Sequence, residues 1–271
     1  KPVQQILNAT KKIINGDFNV RIEPMDTFGK RNELDIIIDN FNEMAGELGS
    51  IETLRTDFIS NVSHELKTPL SIIQNYSALM QDERTTDLER KEYSKSIYET
   101  SQNLSNLITN ILKLNKLENQ KIFLETSEYN LSEQLIECLL CFESIWEEKN
   151  INIDVDIEED LMLNADKELT SIIWNNLYSN AFKFTEDSGE VSIKTKSENN
   201  FIIISISDNG CGMSKDTGKH IFEKFYQGDT SHATNGNGLG LALVKRIIDI
   251  MNADIYIEST LGKGTTFTVK L

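Results

Sequence analysis

Along the first 117 positions apolar residues recur three or four apart, and beyond about position 120 they gather in shorter runs. Val3, Ile6, Leu7, Ile13 and Ile14 outline an amphipathic helix opened by Pro2, and proline suits a helix's first turn. Gly16-Asp17 ends it, and Phe18 to Lys30, containing Pro24, reads as an extended connector. A second helical pattern follows in Leu34, Ile37, Ile38, Phe41, Met44 and Leu48. Two short amphipathic helices joined by such a connector can hardly bury their faces alone, so helices from a second chain are implied. From about Ser50 a helix runs to about Met80, where the polar stretch Gln81 to Thr86 breaks it. Leu88 to Leu117 then forms a return helix with Ile97, Leu104, Ile108, Ile111, Leu112 and Leu114 apolar. One antiparallel hairpin buries little and two make a four-helix bundle, so the pattern predicts a homodimer.

After about Gln120 the pattern becomes mixed α/β. Strands are expected at Lys121 to Glu125, Ile151 to Ile157, Gly189 to Lys196, Phe201 to Ser207, Asp254 to Ser259 and Thr265 to Leu271. Helices are expected at Leu131 to Glu148, Lys167 to Phe184 and Leu239 to Met251. Strands adjacent in sequence suggest antiparallel pairs backed by helices on one face.

Composition narrows the classes. A chain of 271 residues suffices for two or three compact units, and 39% hydrophobic with 26% charged residues suits a soluble globular protein. The net charge of −16 argues against a nucleic-acid partner, because phosphate binding needs a basic surface. Three cysteines make no disulfide framework and point to a reducing cytoplasm. Cys138-x-x-Cys141 lacks a second ligand pair and sits in a helical stretch, so core packing explains it better than metal. No window is long and apolar enough to span a membrane, and there is no signal peptide. The chain opens at Lys-Pro-Val without an initiator methionine, as expected of a fragment that has lost an upstream part.

Within the long helix stands Ser63-His-Glu-Leu-Lys-Thr-Pro-Leu70, with one of only three histidines. Leu54, Phe58, Val62, Leu66, Leu70 and Ile73 form the apolar face, and His64 lies roughly 160° around from both Val62 and Leu66. Glu65 stands beside this water-facing histidine, and Thr68 lies one turn on along the same side. Pro69 removes the donor that would bond to the Glu65 carbonyl, which predicts a bend there. A lone surface histidine is usually only that; the second half of the chain gives it something to attack.

Four pieces there suit a nucleotide. Asn176, Asn180 and Lys183 are spaced i, i+4, i+7 on one helix face; amide oxygens can ligate Mg²⁺, and the lysine can neutralise phosphate. The apolar strand Phe201 to Ser207 ends in Asp208-Asn-Gly-Cys-Gly-Met213, where a carboxylate can accept from an exocyclic amine while bare backbone at Gly210 and Gly212 approaches a flat ring. Gly236-Asn-Gly-Leu-Gly-Leu241 opens a helix, and glycine amides at a helix N-terminus bind anions. Gly262-Lys-Gly-Thr265 precedes the last strand. Separately, each fits an ordinary turn or polar helix face; their order, with His64 upstream, carries the signal.

These motifs resemble the cytoplasmic part of a bacterial two-component sensor histidine kinase. Ser63 to Leu70 is similar to that family's H box, Asn176 to Phe184 to its N box, and Asp208 to Gly212 to its G1 box. Phe222-Glu-Lys-Phe-Tyr226, Gly236 to Leu241 and Gly262 to Thr265 resemble the F box, the G2 box and the last glycine box. The first 48 or so residues resemble a HAMP linker through Pro2, Gly16-Asp17, Asn32-Glu33-Leu34 and Phe41-Asn42-x-Met44. The resemblance implies a multidomain fold: an all-α coiled-coil and four-helix-bundle dimer (HAMP at 1–48, histidine phosphotransfer hairpin at 49–119), then an α/β sandwich of the Bergerat ATPase fold at 120–271. It further implies ATP and Mg²⁺ as cofactors, a response regulator receiver domain as partner, and membrane anchoring at the cytoplasmic face through an upstream transmembrane helix.

Carried onto this chain, the resemblance makes His64 the phosphoacceptor through Nε2, Glu65 the base at Nδ1 and Thr68 the holder of a dephosphorylating water. Asn180, assisted by Asn176, would hold Mg²⁺, Lys183 would meet the phosphates and Asp208 would read the adenine amine. Phe184, Gly210, Gly212, Gly236, Gly238, Leu239, Gly240 and Thr265 complete the nucleotide contacts. Ser214 to Asn235 reads as a lid anchored by Phe222 and Phe225. Gln227 departs from the arginine that many members carry there, with Lys224 the nearby alternative cation. Two other readings share these motifs: an ATPase of the gyrase kind, and a signalling module that only binds nucleotide.

Overall fold

A computed structural model describes residues 2–23, 33–119, 124–199, 201–228 and 236–271. It divides into two units, Lys1–Ser71 and Ile72–Leu271. The expected positions Pro24, Asn32, Lys121 to Phe123 and the lid's Asp229 to Asn235 lie outside the described residues.

In the first unit the apolar spacing produces α1 (Pro2–Ile14) and the start of α2 (Glu33–Met80). Ala9, Ile22, Ile38 and Phe41 form its core, with Ile6, Ile13 and Val20 packed against them. Among its described residues the connector pairs with no strand, and at Ile22 a side chain satisfies its backbone. Asn42 Oδ1 accepts from the Ile22 N–H at 2.9 Å while its Nδ2 donates to the Ile22 carbonyl at 2.8 Å. Gly49 leaves room for Phe18, whose Cβ lies 3.2 Å from where a glycine Cβ would stand. Helix α2 continues through Pro69 to Met80 without ending.

The second unit begins with the last turns of α2 and the return helix α3 (Asp87–Asn119). Thr86 and Glu89 form a reciprocal cap on α3: the Thr86 N–H donates to Glu89 Oε2 at 2.8 Å, and the Glu89 N–H donates to Thr86 Oγ1 at 3.3 Å. Arg90 holds the connecting turn, donating to the carbonyls of Met80, Asp82 and Thr85. Tyr76 stacks on Tyr93 across it with ring centroids 5.2 Å apart.

There follow β1 (Ser127–Asn130), α4 (Leu131–Leu140), α5 (Glu143–Glu148), β2 (Asn152–Asp156), β3 (Met162–Ala165) and α6 (Lys167–Phe184). The chain continues through β4 (Glu190–Glu198), β5 (Phe201–Asp208), α7 (Lys215–His220), α8 (Gly240–Ile250), β6 (Asp254–Thr260) and β7 (Gly264–Lys270). Five strands form one sheet in the order β2-β4-β5-β7-β6. Val191 and Ile193 of β4, Ile204 and Ile206 of β5 and Val269 of β7 are buried, as are Trp174, Tyr178 and Phe182 of α6 and Leu243, Val244 and Ile247 of α8. The alternation that buries one sheet face leaves Ser205, Ser207, Thr266 and Thr268 on the other, where Ser207 and Thr266 pair at 2.7 Å.

Four expectations need correction. Residues 124–126 are not strand; pairing starts at Ser127, where β1 meets β3 antiparallel. The four-residue β3 is too short to show alternation and was missed. The helix expected over Leu131 to Glu148 divides into α4 and α5, and the break turns Phe142 onto Phe182 and Tyr178, with centroids at 5.5 and 6.3 Å. Finally, β2 runs parallel to β4 while the other pairs in the five-stranded sheet are antiparallel. The crossover β3–α6 between them is long enough for that.

Candidate functional site

Helix α6 presents the central polar row because its other faces are buried. Ile173, Leu177 and Phe182 are committed to the core, so Asn176, Asn180 and Lys183 are left on the remaining side. Asp166 starts the helix, its Oδ1 accepting from the Glu168 and Leu169 N–H groups at 3.1 Å each. Asn176 donates to the Ile172 carbonyl at 2.8 Å, which directs its amide oxygen outward. Asn180 is half-buried, and among the described residues its amide has no hydrogen-bond partner. The Lys183 Nζ lies 4.8 Å over the Phe184 ring, and burial holds its pKa below the ordinary lysine value.

The glycine-rich segment that opens α8 lies against two of these side chains. A Cβ on Gly240 would come within 2.5 Å of Asn176 Oδ1, and one on Gly236 would come equally close to Lys183 Nζ. The segment therefore forms a cradle that larger residues would fill. Gly238 has φ +63°, a Cβ there would collide with the backbone of Phe225, and the neighbouring Leu239 is fully buried. Phe225, itself at φ +62°, donates its N–H to the Gly238 carbonyl at 2.9 Å.

Sheet pairing positions the candidate adenine-reading carboxylate. Asp208 at the end of β5 stands opposite Thr265 of β7. Burial raises the Asp208 pKa above the usual carboxylate value, opposed by hydrogen bonds from the backbone of Gly210 and Thr265. The Gly210 N–H reaches Asp208 Oδ1 at 2.9 Å. Thr265 Oγ1 is 2.9 Å from Ser259 Oγ, and Ser259 also accepts the Met213 N–H at 2.9 Å. Ser259 thus fastens the Asp208–Met213 loop to the last hairpin, a role with no signal in the sequence.

The glycines of that loop also serve the protein's own packing. A Cβ on Gly210 would collide with the Phe184 carbonyl oxygen, and one on Gly212 with the Thr260 carbonyl. Their bareness lets protein backbone approach protein backbone, whatever ring the loop also meets. In the segment expected as a lid, Ile221 is buried, while Phe222 and Phe225 are only half-buried. Gln227 donates to the Gly236 carbonyl at 2.7 Å, joining the two ends of the segment between them. Lys224 is engaged by Glu118 at the end of α3, with Nζ 2.7 and 2.9 Å from the two carboxylate oxygens. Arg246 of α8 reaches the same helix end, donating to the Leu117 carbonyl at 3.0 Å.

His64, in the other unit, is exposed on α2, and Thr68 on its side donates through Oγ1 to the His64 carbonyl at 3.3 Å. Glu65 is half-buried. Its carboxylate and the His64 ring share no hydrogen bond among the described residues; successive helical side chains project about 100° apart. Cys138 is buried, which pushes its thiol pKa to about 11, and Cys141 is exposed. Among the described residues no three His, Cys, Asp or Glu converge on a metal, so a cation here would need the asparagine amides and the ligand's own oxygens. No helix among them is long and apolar enough to cross a membrane.

Residues 165–271 match the family described as histidine kinase-, DNA gyrase B- and HSP90-like ATPase, and residues 54–120 match the His Kinase A (phospho-acceptor) domain. The chain belongs to the two-component sensor histidine kinases. The phospho-acceptor match encloses His64, and the ATPase match encloses the whole cradle. The heme sensor protein HssS of Staphylococcus saprophyticus is 33% identical over 272 residues, covering 99% of this chain and 57% of that one. The chain therefore spans a little over half the length of the curated relatives it matches. Among solved structures, the histidine kinase ThkA in complex with response regulator protein TrrA aligns over 82% of this chain and 63% of that one, at TM-score 0.68 and 23% identity, a likeness of fold. ShkA in complex with AMPPNP aligns over 81% of this chain and 45% of that one, at TM-score 0.58 and 26% identity. A helical part followed by an α/β sheet domain is thus the architecture this chain shares with solved histidine kinases.

Proposed function

We propose that this chain autophosphorylates His64 from Mg-ATP and passes the phosphoryl group to an aspartate on a response regulator's receiver domain. The observation that carries the reading is the cradle: Gly240 lies against Asn176 and Gly236 against Lys183, with Asn180 on the same face of α6, while Gly210 of the Asp208 loop abuts the end of that helix. Its donor set fits a nucleotide. Asp208 accepts the adenine amine, Lys183 meets the phosphates, and the glycine amides at the start of α8 lie against the triphosphate. Mg²⁺ held by Asn180, with Asn176 assisting, would neutralise charge on the phosphate oxygens. Phe184, Gly210, Gly212, Gly238, Leu239 and Thr265 shape the walls around them.

In the reaction the Nε2 lone pair of His64 forms a bond to the γ-phosphorus as the bond from that phosphorus to the bridging oxygen breaks, releasing ADP. Glu65 accepts the proton from Nδ1. The lack of a bond between them in the free chain does not count against this, because such contacts tighten when the reacting group arrives. Thr68 positions the water that hydrolyses the regulator's aspartyl phosphate, giving phosphatase activity as well. The division into a HAMP linker at 1–48, a histidine hairpin at 49–119 and an ATP-binding domain at 120–271 belongs to the same proposal. So does a homodimer, supported by exposed Val3, Leu7, Ile36, Leu54, Leu70 and Leu112. Anchoring to the cytoplasmic face of a membrane through an upstream helix completes it.

Incubation with γ-labelled ATP and Mg²⁺ tests the reading. Label that survives alkali, is lost in acid and disappears in His64→Ala is expected. Productive ATP hydrolysis by His64→Ala with no acid-labile phosphate in the wild type would replace it with a gyrase-like ATPase.

A further inference from the structure

Lys149 is joined to the nucleotide end of α6 by an arrangement that none of the chemistry above uses. Its backbone closes α5, the N–H donating to the carbonyls of Glu147 and Ile145, and its carbonyl accepts the Ser188 N–H at 2.7 Å. Its side chain then crosses to α6. The ammonium donates to the carbonyls of Phe182 at 2.9 Å, Lys183 at 3.4 Å and Thr185 at 2.8 Å. A lysine ammonium has three donors, and here each has a carbonyl acceptor. The last carbonyls of a helix lack intrahelical partners, and a cation suits the negative end of the helix dipole. Lys149 is half-buried, so these bonds are partly shielded from water.

The turn it holds is the one on which the pocket converges. Lys183 extends from it toward Gly236, and the Phe184 carbonyl abuts Gly210 and accepts the Cys211 N–H at 3.4 Å. We propose that Lys149 is a positioning residue for nucleotide binding: its ammonium fixes the final turn of α6, and through it the Lys183 side chain and the seating of the Asp208–Gly212 loop. The residue touches no nucleotide itself, because its three donors already have protein acceptors.

This inference rests on the pocket being a nucleotide site, and its test separates the two. In the full chain, Lys149→Met removes the donors, Lys149→Gln keeps an amide donor group, and Lys149→Arg keeps charge and donors. Lys149→Met is expected to raise the half-saturating ATP concentration for labelling about tenfold with the maximal rate within about twofold, matching loss of charge-assisted hydrogen bonds. Lys149→Arg is expected to restore most of that affinity. Labelling assays run well below each variant's melting temperature, so a purely structural lysine would lower Tm and leave the half-saturating concentration alone, overturning the proposal. If Lys149→Met does not fold, Lys149→Gln decides by the same readouts. If the wild type binds no nucleotide, the pocket reading fails and amide exchange in the free protein decides: faster exchange at Cys211 in Lys149→Met upholds the positioning, and unchanged exchange overturns it.

Discussion

Phe184 and Gly210 meet backbone against backbone. The carbonyl oxygen at the end of α6 occupies the space that a Cβ on Gly210 would need, so the helix and the loop after β5 approach as closely as the chain permits. The seating of the Asp208–Gly212 loop on the end of α6 is set by this contact.

Gly210→Ala forces that contact apart. It is expected to lower stability by about 1–3 kcal/mol, as for other overpacked sites, and to weaken ATP binding as well. Thermal denaturation with and without Mg-ATP measures both, and a variant of wild-type Tm and affinity would disprove the contact's importance.

Asp208 carries opposite consequences for binding and stability. Its folded pKa is raised by burial, so the folded chain takes up the proton at a higher pH than the unfolded chain does. The carboxyl therefore favours folding fully below its unfolded pKa, and that contribution is lost as pH rises through the folded value. On the proposed function ATP affinity is expected to run the other way, because the ionised form would accept the adenine amine. Asp208→Asn is expected to bind ATP about tenfold or more weakly with no fall in Tm at neutral pH, and to lose the acid-side drop in affinity of the wild type. Nucleotide titrations across the acid range check this without involving His64.

Asn180→Ala is expected to fold with unchanged Tm and to lose Mg²⁺-dependent ATP affinity, since its amide supports no protein hydrogen bond among the described residues. Calorimetric titration of ATP at low and high Mg²⁺ distinguishes this from a general loss of the pocket.

Thr68→Ala removes one hydroxyl from an exposed helical position. Autophosphorylation is expected to persist, while dephosphorylation of a phosphorylated regulator falls about a hundredfold, within the range of a lost acid–base or water-positioning group. Time courses of regulator phosphate with wild type and variant settle it.

Asn42→Leu leaves the Ile22 N–H and carbonyl without their side-chain partner in a half-buried place. A loss of about 1–3 kcal/mol is expected in the first unit, read as faster amide exchange at Ile22, with nucleotide binding unchanged.

Much of this architecture was legible because it is local. The span of α6 follows from its apolar period and the Asp166 cap, and the hairpin turn at Gln81 to Thr86 from its polar residues. Position inside a sheet is not local. That β2 would pair in parallel with β4 depended on the short β3 leaving for β1, and four residues carry no readable period. Lys224 looked like a spare cation beside Gln227, and only the fold put its ammonium on Glu118, more than a hundred positions away in sequence.

The sequence by itself determined most of the order of helices and strands and singled out the residues proposed to carry chemistry: His64, Asn176, Asn180, Lys183, Asp208 and the glycine boxes. Side-chain type and short-range period are properties of adjacent residues, so no folding is needed to read them. Tertiary structure alone decided what those residues face. It made Gly210 and Gly212 the seats of the Phe184 and Thr260 carbonyls, raised the Asp208 pKa by burial, and brought Lys149 to the last turn of α6. Close approach, desolvation and hydrogen-bond reach depend on distances between segments remote in sequence, which exist only once the sheet and its helices have packed.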